Sequence, residues 1–298
     1  MIIVFGSANV DLVMALPSLP APGETVLTEG YQAVPGGKGA NQALAACRAG
    51  SDTTFVGAVG DDAYSELALS LLSSEGVDLS PVKFSDRPTG CAVVMVDDDG
   101  ENAIGVASGA NLDVQAGQIN DQLLQKTDVL VLQQEVPVEQ NAELARRARA
   151  QGVEIVFNLA PAARVPDEFL ADVDYLIVNQ VEAAFLAGEA DPGEVHTLAH
   201  TLARDHNLTT IITLGAEGAH AASGDEMHSI SAPVVEVVDT TGAGDTFTGY
   251  LAAGLAAGKP LEQCLSQAVG AASLACTRLG AQSAIPKAGQ LTELSVPG

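Results

Sequence analysis

The sequence predicts an α/β fold: a mostly parallel β-sheet with helices on both faces, and a small separate β-sheet that forms a lid. Three observations carry this prediction. Short apolar runs recur along the chain, helix-like stretches lie between them, and two segments in the first 107 residues break this alternation. Strands that alternate with helices form parallel sheets, because each helix carries the chain back to the edge where the previous strand began.

The strands of the main sheet are predicted from apolar runs that end in polar or glycine-containing turns. Strands buried on both faces have this continuous apolar character. The runs are IIVFG, TTFVGAVG, DVLVLQ, VEIVFNLA, DYLIVN and TTIITLG, with a further strand predicted at APVVEVV. Ligands of such sheets bind at the carboxyl ends of the strands, so functional residues are expected in the loops there.

Helices are predicted where alanine, leucine and charged residues separate these runs. NQALAACRAG is one such stretch, with a helix beginning near Asn41. EQNAELARRARAQG is a second, and its arginines followed by glycine are typical of a helix C-terminus. A third helix, TFTGYLAAGLAAG, follows the predicted strand APVVEVV.

Two segments are predicted to lie outside the main sheet as the lid. Residues 12–35 contain several prolines and end in the alternating stretch ETVLTEGYQAV. Residues 90–107 are interpreted as two strands around the turn at Asp99-Gly100, since Asp-Gly is a strong hairpin signal. Both pieces are expected to be antiparallel. The predicted division is a core of residues 1–11, 36–88 and 109–298, with a lid of residues 12–35 and 89–108.

The composition favours a globular protein that binds neither nucleic acid nor membranes. Its 298 residues carry a net charge of −25, so no basic patch exists to release counterions from a polyanion. No apolar run approaches the roughly eighteen residues that a membrane-spanning helix needs. The first residues, MIIVFGSANVD, lack the basic start of a signal peptide. We therefore expect a cytoplasmic protein.

The stretch DTTGAGDTFTG, residues 239–249, places a carboxylate inside a glycine-rich turn. Gly242, Ala243 and Gly244 are predicted to form the turn at a helix N-terminus, where free N–H groups and the helix dipole favour anions. This arrangement is an anion hole suited to a phosphoryl group in transfer. The same dipoles favour the ionised form of Asp245, which is predicted to take the proton from an attacking alcohol. The alternative is that Asp245 only caps the helix.

A second glycine cluster, PGGKGANQALAA, covers residues 35–46. Glycines let the backbone approach a ligand closely, so Gly37, Lys38, Gly39 and Asn41 are predicted to hydrogen-bond a hydroxyl-rich molecule. The spacing fits neither a Walker A loop nor GxGxxG, because glycine follows the lysine and glutamine stands where the last glycine belongs. The alternative is a tight turn with a solvated lysine.

The stretch SANVD, residues 7–11, follows the first predicted strand. Asn9 and Asp11 are two residues apart, so their side chains point the same way from an extended segment. A polar pair at a strand end suits the hydroxyls of a sugar. The alternative is that both residues only form a turn.

In combination, GGKGANQA and DTTGAGDTFTG resemble the ribokinase (PfkB-type) carbohydrate kinase family. SANVD, PAPGETV, GENAIGVASGAN, NLAPA, TLGAEG and TRLGAQSAIP agree with it, in the expected order from residue 3 to about residue 287. The resemblance implies a three-layer αβα sandwich with a mostly parallel central sheet and a small β-sheet lid. Lid segments of two subunits pair in ribokinases, so a homodimer through the lid is implied.

The resemblance implies ATP-dependent phosphorylation of D-ribose at O5, with Asp245 as the general base. Phosphorylation of another acceptor, such as deoxyribose, a ketohexose or a nucleoside, is the alternative. Asn9 and Asp11 favour ribose, since they would engage ring hydroxyls that deoxyribose partly lacks. A non-catalytic sugar-sensing protein on the same scaffold is a third interpretation, against which the presence of Asp245 and the glycines argues.

The resemblance also implies the ligand contacts. Those of the sugar are Asn9, Asp11, Gly37, Lys38, Gly39, Asn41, Glu135 and Asp245. Those of ATP are Asn179, Thr213, Leu214, Gly215, Ala216, Glu217, Gly218 and Gly244, and Glu182 acts indirectly on Mg²⁺. A potassium ion beside the anion hole is implied at Asp239, Thr241, Ala275, Arg278, Gly280 and Ala284, mostly through backbone carbonyls. Ala284 departs from the family, which often has a side-chain hydroxyl there.

Overall fold

The computed structural model describes residues 1–189 and 193–293 of the chain. The strands are β1 (Ile2–Phe5), β2 (Asn9–Leu16), β3 (Gln32–Gly36), β4 (Thr53–Val56), β5 (Ala58–Gly60), β6 (Lys83–Ser85), β7 (Gly90–Asp97), β8 (Asn102–Ala107), β9 (Val129–Gln133), β10 (Glu154–Asn158), β11 (Tyr175–Asn179), β12 (Thr209–Thr213), β13 (Ala219–Ser223) and β14 (Glu226–Ile230). The α-helices are α1 (Lys38–Arg48), α2 (Ala63–Ser74), α3 (Asp121–Leu124), α4 (Val138–Arg149), α5 (Asp167–Leu170), α6 (Gln180–Ala187), α7 (Val195–His206), α8 (Ala243–Ala256) and α9 (Leu261–Ala275).

The main sheet has eight strands in the order β14-β13-β12-β11-β10-β9-β1-β4. The strands from β12 to β4 are parallel to one another, and β13 and β14 add an antiparallel edge. The six apolar runs predicted as parallel strands lie in β1, β4, β9, β10, β11 and β12, so this prediction is confirmed. The run TTFVGAVG continues into β5, which pairs with β6 in a separate two-stranded sheet.

The sheet separates two apolar cores, which makes the molecule a three-layer αβα sandwich. Successive side chains of a strand point to opposite faces. On β1, Ile2 and Val4 therefore enter one core, together with residues of α1, α2, α8 and α9. Ile3 and Phe5 enter the other core, with residues of α3 to α7. The predicted fold class is confirmed, and burial on both faces explains why the strands have continuous apolar sequences.

The lid is a four-stranded sheet in the order β3-β2-β7-β8. The predicted hairpin is confirmed, since β7 and β8 pair antiparallel. β2 and β3 also pair antiparallel, but β2 and β7 run parallel from the pair Asn9–Gly90 to the pair Leu16–Asp97. This corrects the expectation of antiparallel pieces throughout. Both central strands start beside the core and run away from it, so they share one direction. Asn9 and Asp11 lie on β2 and thus on the lid sheet.

Three other local expectations differ from the structure. Residues 231–238, which contain the apolar stretch APVVEVV, form no strand, and Val234, Val237 and Val238 are exposed. This segment follows the edge strand β14 without pairing with it, and Val238 at its end donates its N–H to the backbone oxygen of Cys276 at 2.8 Å. Within ETVLTEGYQAV, a strand begins only at Gln32. Helix α1 begins at Lys38, three residues before the predicted start.

A helix that crosses a membrane must be both long and apolar. Within residues 1–189 and 193–293, no helix combines the length and the apolar character needed to cross a lipid bilayer.

Candidate active site

Polar residues collect at the carboxyl ends of the parallel strands, as expected for this kind of sheet. They lie at the ends of neighbouring strands or one to two residues beyond them. These residues are Ser7 after β1, Glu135 after β9, Asn158 on β10, Asn179 on β11 and Thr213 on β12. The lid strand β2 and the first turns of α1 and α8 complete the site.

Asp245 lies in the first turn of α8, and its carboxylate is held by two amides from the first turn of α1. Asn41 donates its Nδ2 to Asp245 Oδ2 over 2.8 Å. Gln42 donates its Nε2 to Asp245 Oδ1 over 2.9 Å. Each carboxylate oxygen therefore has one fixed donor. The structure brings Asp245 and Asn41 together as the sequence implied, and it adds Gln42, which sequence reasoning missed.

Small residues let α1 and α8 approach closely enough for these contacts. A Cβ at Gly249 would lie 2.5 Å from the Cβ of Ala45 and 2.5 Å from the backbone oxygen of Gln42. Both distances are far below van der Waals contact, so α8 requires glycine here. The small-residue pattern of TFTGYLAAGLAAG thus sets the distance between the two helices that carry Asp245 and its donors.

The pKa of Asp245 is raised by burial of the carboxyl group. The charge of Lys38 and the hydrogen bonds from Asn41 and Gln42 act in the opposite direction but do not reverse the shift. The dipoles at the start of α8 were predicted to favour the ionised form of Asp245; loss of hydration acts against that form, and the net shift of the pKa is upward. A carboxylate with a raised pKa is a stronger proton acceptor once ionised.

The ammonium group of Lys38 is affected by the charges of several carboxyl groups of the site. Its pKa is raised by the negative charge of Asp245, more than burial lowers it, and Glu135, Glu182 and Asp11 act in the same direction as Asp245. Burial raises the pKa of Asp11 to about 6, and the charges of Glu135 and Asp245 add to this effect. The charges of four carboxyl groups thus act on one ammonium group.

The N-terminus of α1 is satisfied by groups at the carboxyl ends of β1 and β9. Glu135 Oε2 accepts the backbone N–H of Lys38 at 3.0 Å and also the hydroxyl of Ser7. Ser7 Oγ accepts the N–H of Gly39 at 3.2 Å. Gly37, with φ of 91°, is required because a Cβ there would lie 2.8 Å from the backbone nitrogen of Asn9. The predicted sugar contacts from residues 37–41, Asn9 and Glu135 therefore form one cluster.

Asn9 is buried and its amide is oriented by a residue that sequence reasoning did not identify. Asn111 donates its Nδ2 to Asn9 Oδ1 over 2.7 Å and accepts the N–H of Ala8 at 3.0 Å on its own Oδ1. Because a backbone N–H can only donate, the orientation of both amides is fixed. Asn9 is left with its Nδ2 as the group that can donate to a ligand. Asn111 is the last residue of GENAIGVASGAN. This stretch was one of those that resembled the family, but the resemblance assigned no role to Asn111.

The N-terminus of α8 differs from that of α1, because some of its donors are free. Ala243 donates its N–H to Thr240 O at 3.2 Å, and Thr246 donates to Gly242 O at 2.8 Å. Within the described parts of the chain, the N–H groups of Gly244 and Asp245 have no partner. These two N–H groups point out of the helix end beside the Asp245 carboxylate, where they favour an anion.

Asn179 and Thr213 are directly paired neighbours at the ends of β11 and β12. Asn179 Oδ1 accepts the N–H of Glu182 at 2.8 Å, and Glu182 Oε2 accepts the N–H of Asn179 at 2.8 Å. Burial raises the pKa of Glu182. After Thr213, the turn Gly215–Glu217 is exposed beside the sheet edge. Of the residues implied for ATP, Asn179 and those from Thr213 to Gly218 thus lie together at this edge, and Gly244 lies at the start of α8.

Asp239 joins the loop before α8 to the loop after α9. Its Oδ1 accepts the N–H and the hydroxyl of Thr241 at 2.9 and 2.7 Å, and its Oδ2 accepts the N–H of Gly280 at 2.8 Å. Burial opposes the ionised form of Asp239, but these hydrogen bonds lower its pKa overall. Arg278 donates its N–H to Ala275 O at 3.2 Å, and Ala284 is buried. The residues implied for potassium therefore lie on two loops that are tied together.

Fold and site together define a kinase that phosphorylates a small hydroxyl-bearing molecule. A buried carboxylate stands beside free backbone N–H groups at the carboxyl edge of a parallel sheet, and a β-sheet lid adjoins it. The chain belongs to the pfkB family of carbohydrate kinases, whose family model matches residues 1–288.

Individual relatives give the same picture. The chain is 38% identical to the ribokinase of Bacillus subtilis over 298 residues, which covers 98% of each protein. Its structure is similar to that of the ribokinase of Thermotoga maritima, with a TM-score of 0.91 and 32% identity over 99% of this chain and 98% of the other. It is also similar to the ribokinase of Arabidopsis thaliana complexed with ribose and ATP, with a TM-score of 0.90 and 32% identity over 98% and 97% of the chains.

Proposed function

We propose that this chain is an ATP-dependent ribokinase that transfers the γ-phosphoryl group of ATP to O5 of D-ribose, giving D-ribose 5-phosphate. The observation that carries the proposal is the Asp245 carboxylate, fixed by Asn41 and Gln42 beside the free N–H groups of α8. Full-length similarity to ribokinases supports ribose as the acceptor.

Ribose binds between the lid strand β2 and the first turn of α1. The free Nδ2 of Asn9 donates to one ring hydroxyl, and the carboxylates of Asp11 and Glu135 accept from others. The glycines at 37 and 39 and the side chains of Lys38 and Asn41 complete the contacts. This arrangement directs O5 of the sugar towards Asp245. A site that hydrogen-bonds several hydroxyls rejects sugars that lack them, because its buried polar groups would remain unpaired.

The reaction needs a proton acceptor and an anion-binding group side by side. Asp245 takes the proton from the 5-hydroxyl as O5 attacks the γ-phosphorus, and the bond between that phosphorus and the bridging oxygen breaks to release ADP. The N–H groups of Gly244 and Asp245 hold the charge on the transferred group, with Gly242 and Ala243 forming the turn that exposes them. The N-terminus of α1 cannot serve in this way, because Glu135 and Ser7 already occupy its donors.

ATP binds along the edge formed by Asn179, the turn from Thr213 to Gly218, and Gly244. Gly218 has φ of 101°, and a Cβ there would lie 1.9 Å from Ile230 O, so glycine is needed to form this turn. Backbone groups and glycines at this edge allow a flat base and its phosphates to lie against the protein.

Two cations fit the residues of this site. Mg²⁺ fits as an ion bound to the phosphates of ATP, because the carboxyl group of Glu182 acts electrostatically in the same site and no cluster of three or more His, Cys, Asp or Glu side chains among the described residues would bind it directly. Glu182 would hold it indirectly, through water, and the ion would neutralise the phosphates. Potassium fits the two loops joined by Asp239, where an ionised carboxylate and backbone carbonyls of Thr241, Ala275, Arg278, Gly280 and Ala284 would surround it. The potassium ion would stabilise the position of the adjacent turn 242–244.

The lid also provides a surface for a homodimer. Ile104 and Val106 on β8 are more than half exposed, as are Leu27 and Tyr31 in the segment between β2 and β3. Pairing of two lids would cover these apolar side chains. We further propose a cytoplasmic location, since the four cysteines are free thiols, as is usual in a reducing compartment.

A sugar panel tests the proposal directly. The wild-type protein is assayed with ATP, Mg²⁺ and K⁺ against D-ribose, 2-deoxyribose, fructose and adenosine, and the product is identified by ³¹P NMR. We expect the highest kcat/KM with ribose and a 5-phosphate as product. A higher kcat/KM with another acceptor would make the protein a kinase of the same family with that acceptor as its substrate. Ribose binding without phosphorylation of any acceptor would indicate a sugar sensor.

A further inference from the structure

We propose that Gln42 and Asn158 form a relay that fixes the Asp245 carboxylate in its reactive orientation, so that Gln42 is a positioning residue for the general base. The inference rests on the proposed function of Asp245. It concerns two residues that the glycine-rich motifs did not predict as site residues. The role of each is inferred from its hydrogen bonds.

The relay is a continuous line of hydrogen bonds from the sheet to the base. Asn158 on β10 donates its Nδ2 to the backbone oxygen of Ile177 on β11 over 3.1 Å. Asn158 Oδ1 accepts the Nε2 of Gln42 at 3.1 Å. The same Nε2 donates to Asp245 Oδ1 over 2.9 Å. Both hydrogens of the Gln42 amide are therefore used.

The direction of each amide in the relay follows from the backbone. The carbonyl of Ile177 can only accept, so Asn158 must turn its NH₂ towards β11 and its oxygen towards Gln42. Gln42 must then present its own NH₂ to Asn158 and to Asp245. A flipped Gln42 would place its oxygen against the carboxylate, and two acceptors would repel each other. The sheet thus determines which end of Gln42 faces the base.

An unpaired atom shows that this orientation has a cost. The Oε1 of Gln42 is buried without a hydrogen-bond partner among the described residues. A buried acceptor without a donor is unfavourable, and most such groups in proteins are paired. The structure keeps this unpaired oxygen because the alternative orientation would remove the donor from Asp245. Gln42 is itself fully buried, so it acts through Asp245 and does not contact the substrate.

The electrostatic surroundings make this donor important for the protonation state of Asp245. Lys38 on α1 favours the ionised carboxylate, and Glu135 after β9 opposes it. Asp11 on β2 and Glu182 on α6 also face Asp245 as like charges. Burial and three neighbouring carboxylates oppose the ionised form of Asp245, and Lys38 and the amides of Asn41 and Gln42 favour it. Loss of one amide donor therefore shifts the titration of the base to higher pH.

The test compares Gln42→Met, Asn158→Leu and the double variant in the full-length protein. Methionine keeps the length of glutamine without its donors, and leucine keeps the branched shape of asparagine without its polar atoms. We measure kcat/KM for ribose against pH, together with kcat and KM separately. For Gln42→Met we expect the acid limb to move up by roughly one pH unit, so that kcat/KM at a fixed pH on that limb falls about tenfold while the rate at high pH changes less, since one pKa unit is a factor of ten in ionisation. KM for ribose should change less than about threefold.

The double variant distinguishes a relay from two independent contacts. Asn158→Leu should shift the acid limb in the same direction but by less, because Gln42 keeps its contact in part of the molecules. In the double variant the shift should equal that of Gln42→Met alone, since Asn158 acts only through Gln42. If Gln42→Met does not fold, as judged by circular dichroism, Asn158→Leu alone still tests the direction of the shift. Gln267→Met is the matched control: Gln267 accepts a hydrogen bond from Lys259 on the surface of the helix pair, away from the site.

A direct measurement separates the relay from the proposed function. The ¹³C shift of the Asp245 carboxyl carbon, followed against pH, reports its pKa in wild type and variants without any turnover. A higher pKa in Gln42→Met supports the relay whichever acceptor the enzyme uses, and even if ribose fails as a substrate. An unchanged carboxyl titration, with lower stability or a uniform loss of rate at every pH, would overturn the relay and leave Gln42 a packing residue.

Discussion

The side chains of Asn41 and Asp245 meet over 2.8 Å, although 204 positions separate them in the sequence. Each lies in the first turn of a helix, and the two helices pack directly against each other. The geometry of the base is thus set by helix packing and not by a mobile loop. Substitutions that change this packing, the proposed base or the surrounding charges are expected to have different effects on activity and stability.

Asp245→Asn should lower kcat by ~10²–10⁴, the usual contribution of general base catalysis. The substituted amide also places an NH₂ against the amide donor of either Asn41 or Gln42, which contact both carboxylate oxygens in the wild type. Ribose binding, measured by calorimetry, should weaken much less than turnover falls. Retention of most of the wild-type turnover in single-turnover assays would contradict the role of Asp245.

Asn111→Ala should reduce the preference for ribose over 2-deoxyribose. Without the 2.7 Å contact from Asn111, the buried Asn9 amide is free to rotate, and it no longer presents its Nδ2 reliably to a sugar hydroxyl. Asn9→Ala should reduce the same preference more strongly, because it removes the donor itself. The measurement is the ratio of kcat/KM for the two sugars. The prediction fails if the wild type uses both sugars equally, or if Asn111→Ala leaves the ratio unchanged.

Gly249→Ala should destabilise the fold by about 1–3 kcal/mol, as overpacking of a tight core does. The added methyl group would overlap Ala45 and the backbone of Gln42, so α8 must move and carry Asp245 away from its donors. We therefore expect kcat to fall together with stability. Gly270→Ala on α9 is the matched control, since a Cβ there meets no atom within 4 Å. It should leave activity intact and raise stability by up to about 1 kcal/mol, through helix propensity. Equal denaturation midpoints for the two variants would refute this interpretation.

Asp11→Asn should stabilise the ligand-free protein above pH 6 and have little effect below pH 4. The pKa of Asp11 is raised to about 6, so the folded state binds this proton more tightly than the unfolded state does. The contribution of Asp11 to stability is then complete below its ordinary pKa and is lost as the pH rises towards 6. The gain from the substitution reaches about 3 kcal/mol at most, at about 1.4 kcal/mol per pKa unit. Urea unfolding at pH 4 and pH 8 measures it, with Asp98→Asn at the exposed hairpin tip as control. A gain equal at both pH values would contradict the assignment.

Potassium should raise both activity and thermal stability relative to sodium at constant ionic strength. A shell of carbonyl oxygens around Asp239 suits the larger ion, and sodium would require the shell to contract. Ala284→Ser should add a hydroxyl ligand and lower the potassium concentration that gives half of the effect. Initial rates and melting temperatures are titrated with potassium chloride, with sodium chloride keeping the total salt constant. If neither the rate nor the melting temperature of the wild type or of Ala284→Ser depends on potassium after dialysis, the ion has no role in activity or stability.

Most of the sheet was predictable because parallel strands buried on both faces require continuous apolar runs. The same signal failed at residues 231–238, where the valines are exposed and the backbone forms no strand, although the edge strand β14 comes just before them. Hydrophobicity reports what a segment prefers to bury, whereas strand formation also depends on backbone pairing partners elsewhere in the chain. The parallel pairing of β2 with β7 was equally beyond local patterns, since it joins segments about 80 residues apart.

Within the candidate site, local motifs predicted the proposed base and the glycines but not Gln42, Asn111 and Asn158, whose hydrogen bonds orient other side chains there. Asn41 and Asp245 stand in recognisable turns, so their chemistry follows from their neighbours in sequence. Asn158 and Gln42 are 116 positions apart, and only the folded sheet reveals their contact. A signal for Asn158 was nevertheless present. It is the only polar residue near the end of the predicted parallel strand VEIVFNLA, at the edge where polar side chains are most often functional.

The strand that carries Asn9 and Asp11 belongs to the lid, whereas the base and its two amide donors belong to helices of the large core. Under the proposed function, recognition of the alcohol and the chemistry performed on it would thus reside in separately built parts of the molecule. Substitutions on β2 and its neighbours can alter which hydroxyls are read without disturbing the helix contact that supports Asp245. Such a division allows new acceptors to be acquired during evolution, or by design, through exchange of lid strands while the helices remain as they are.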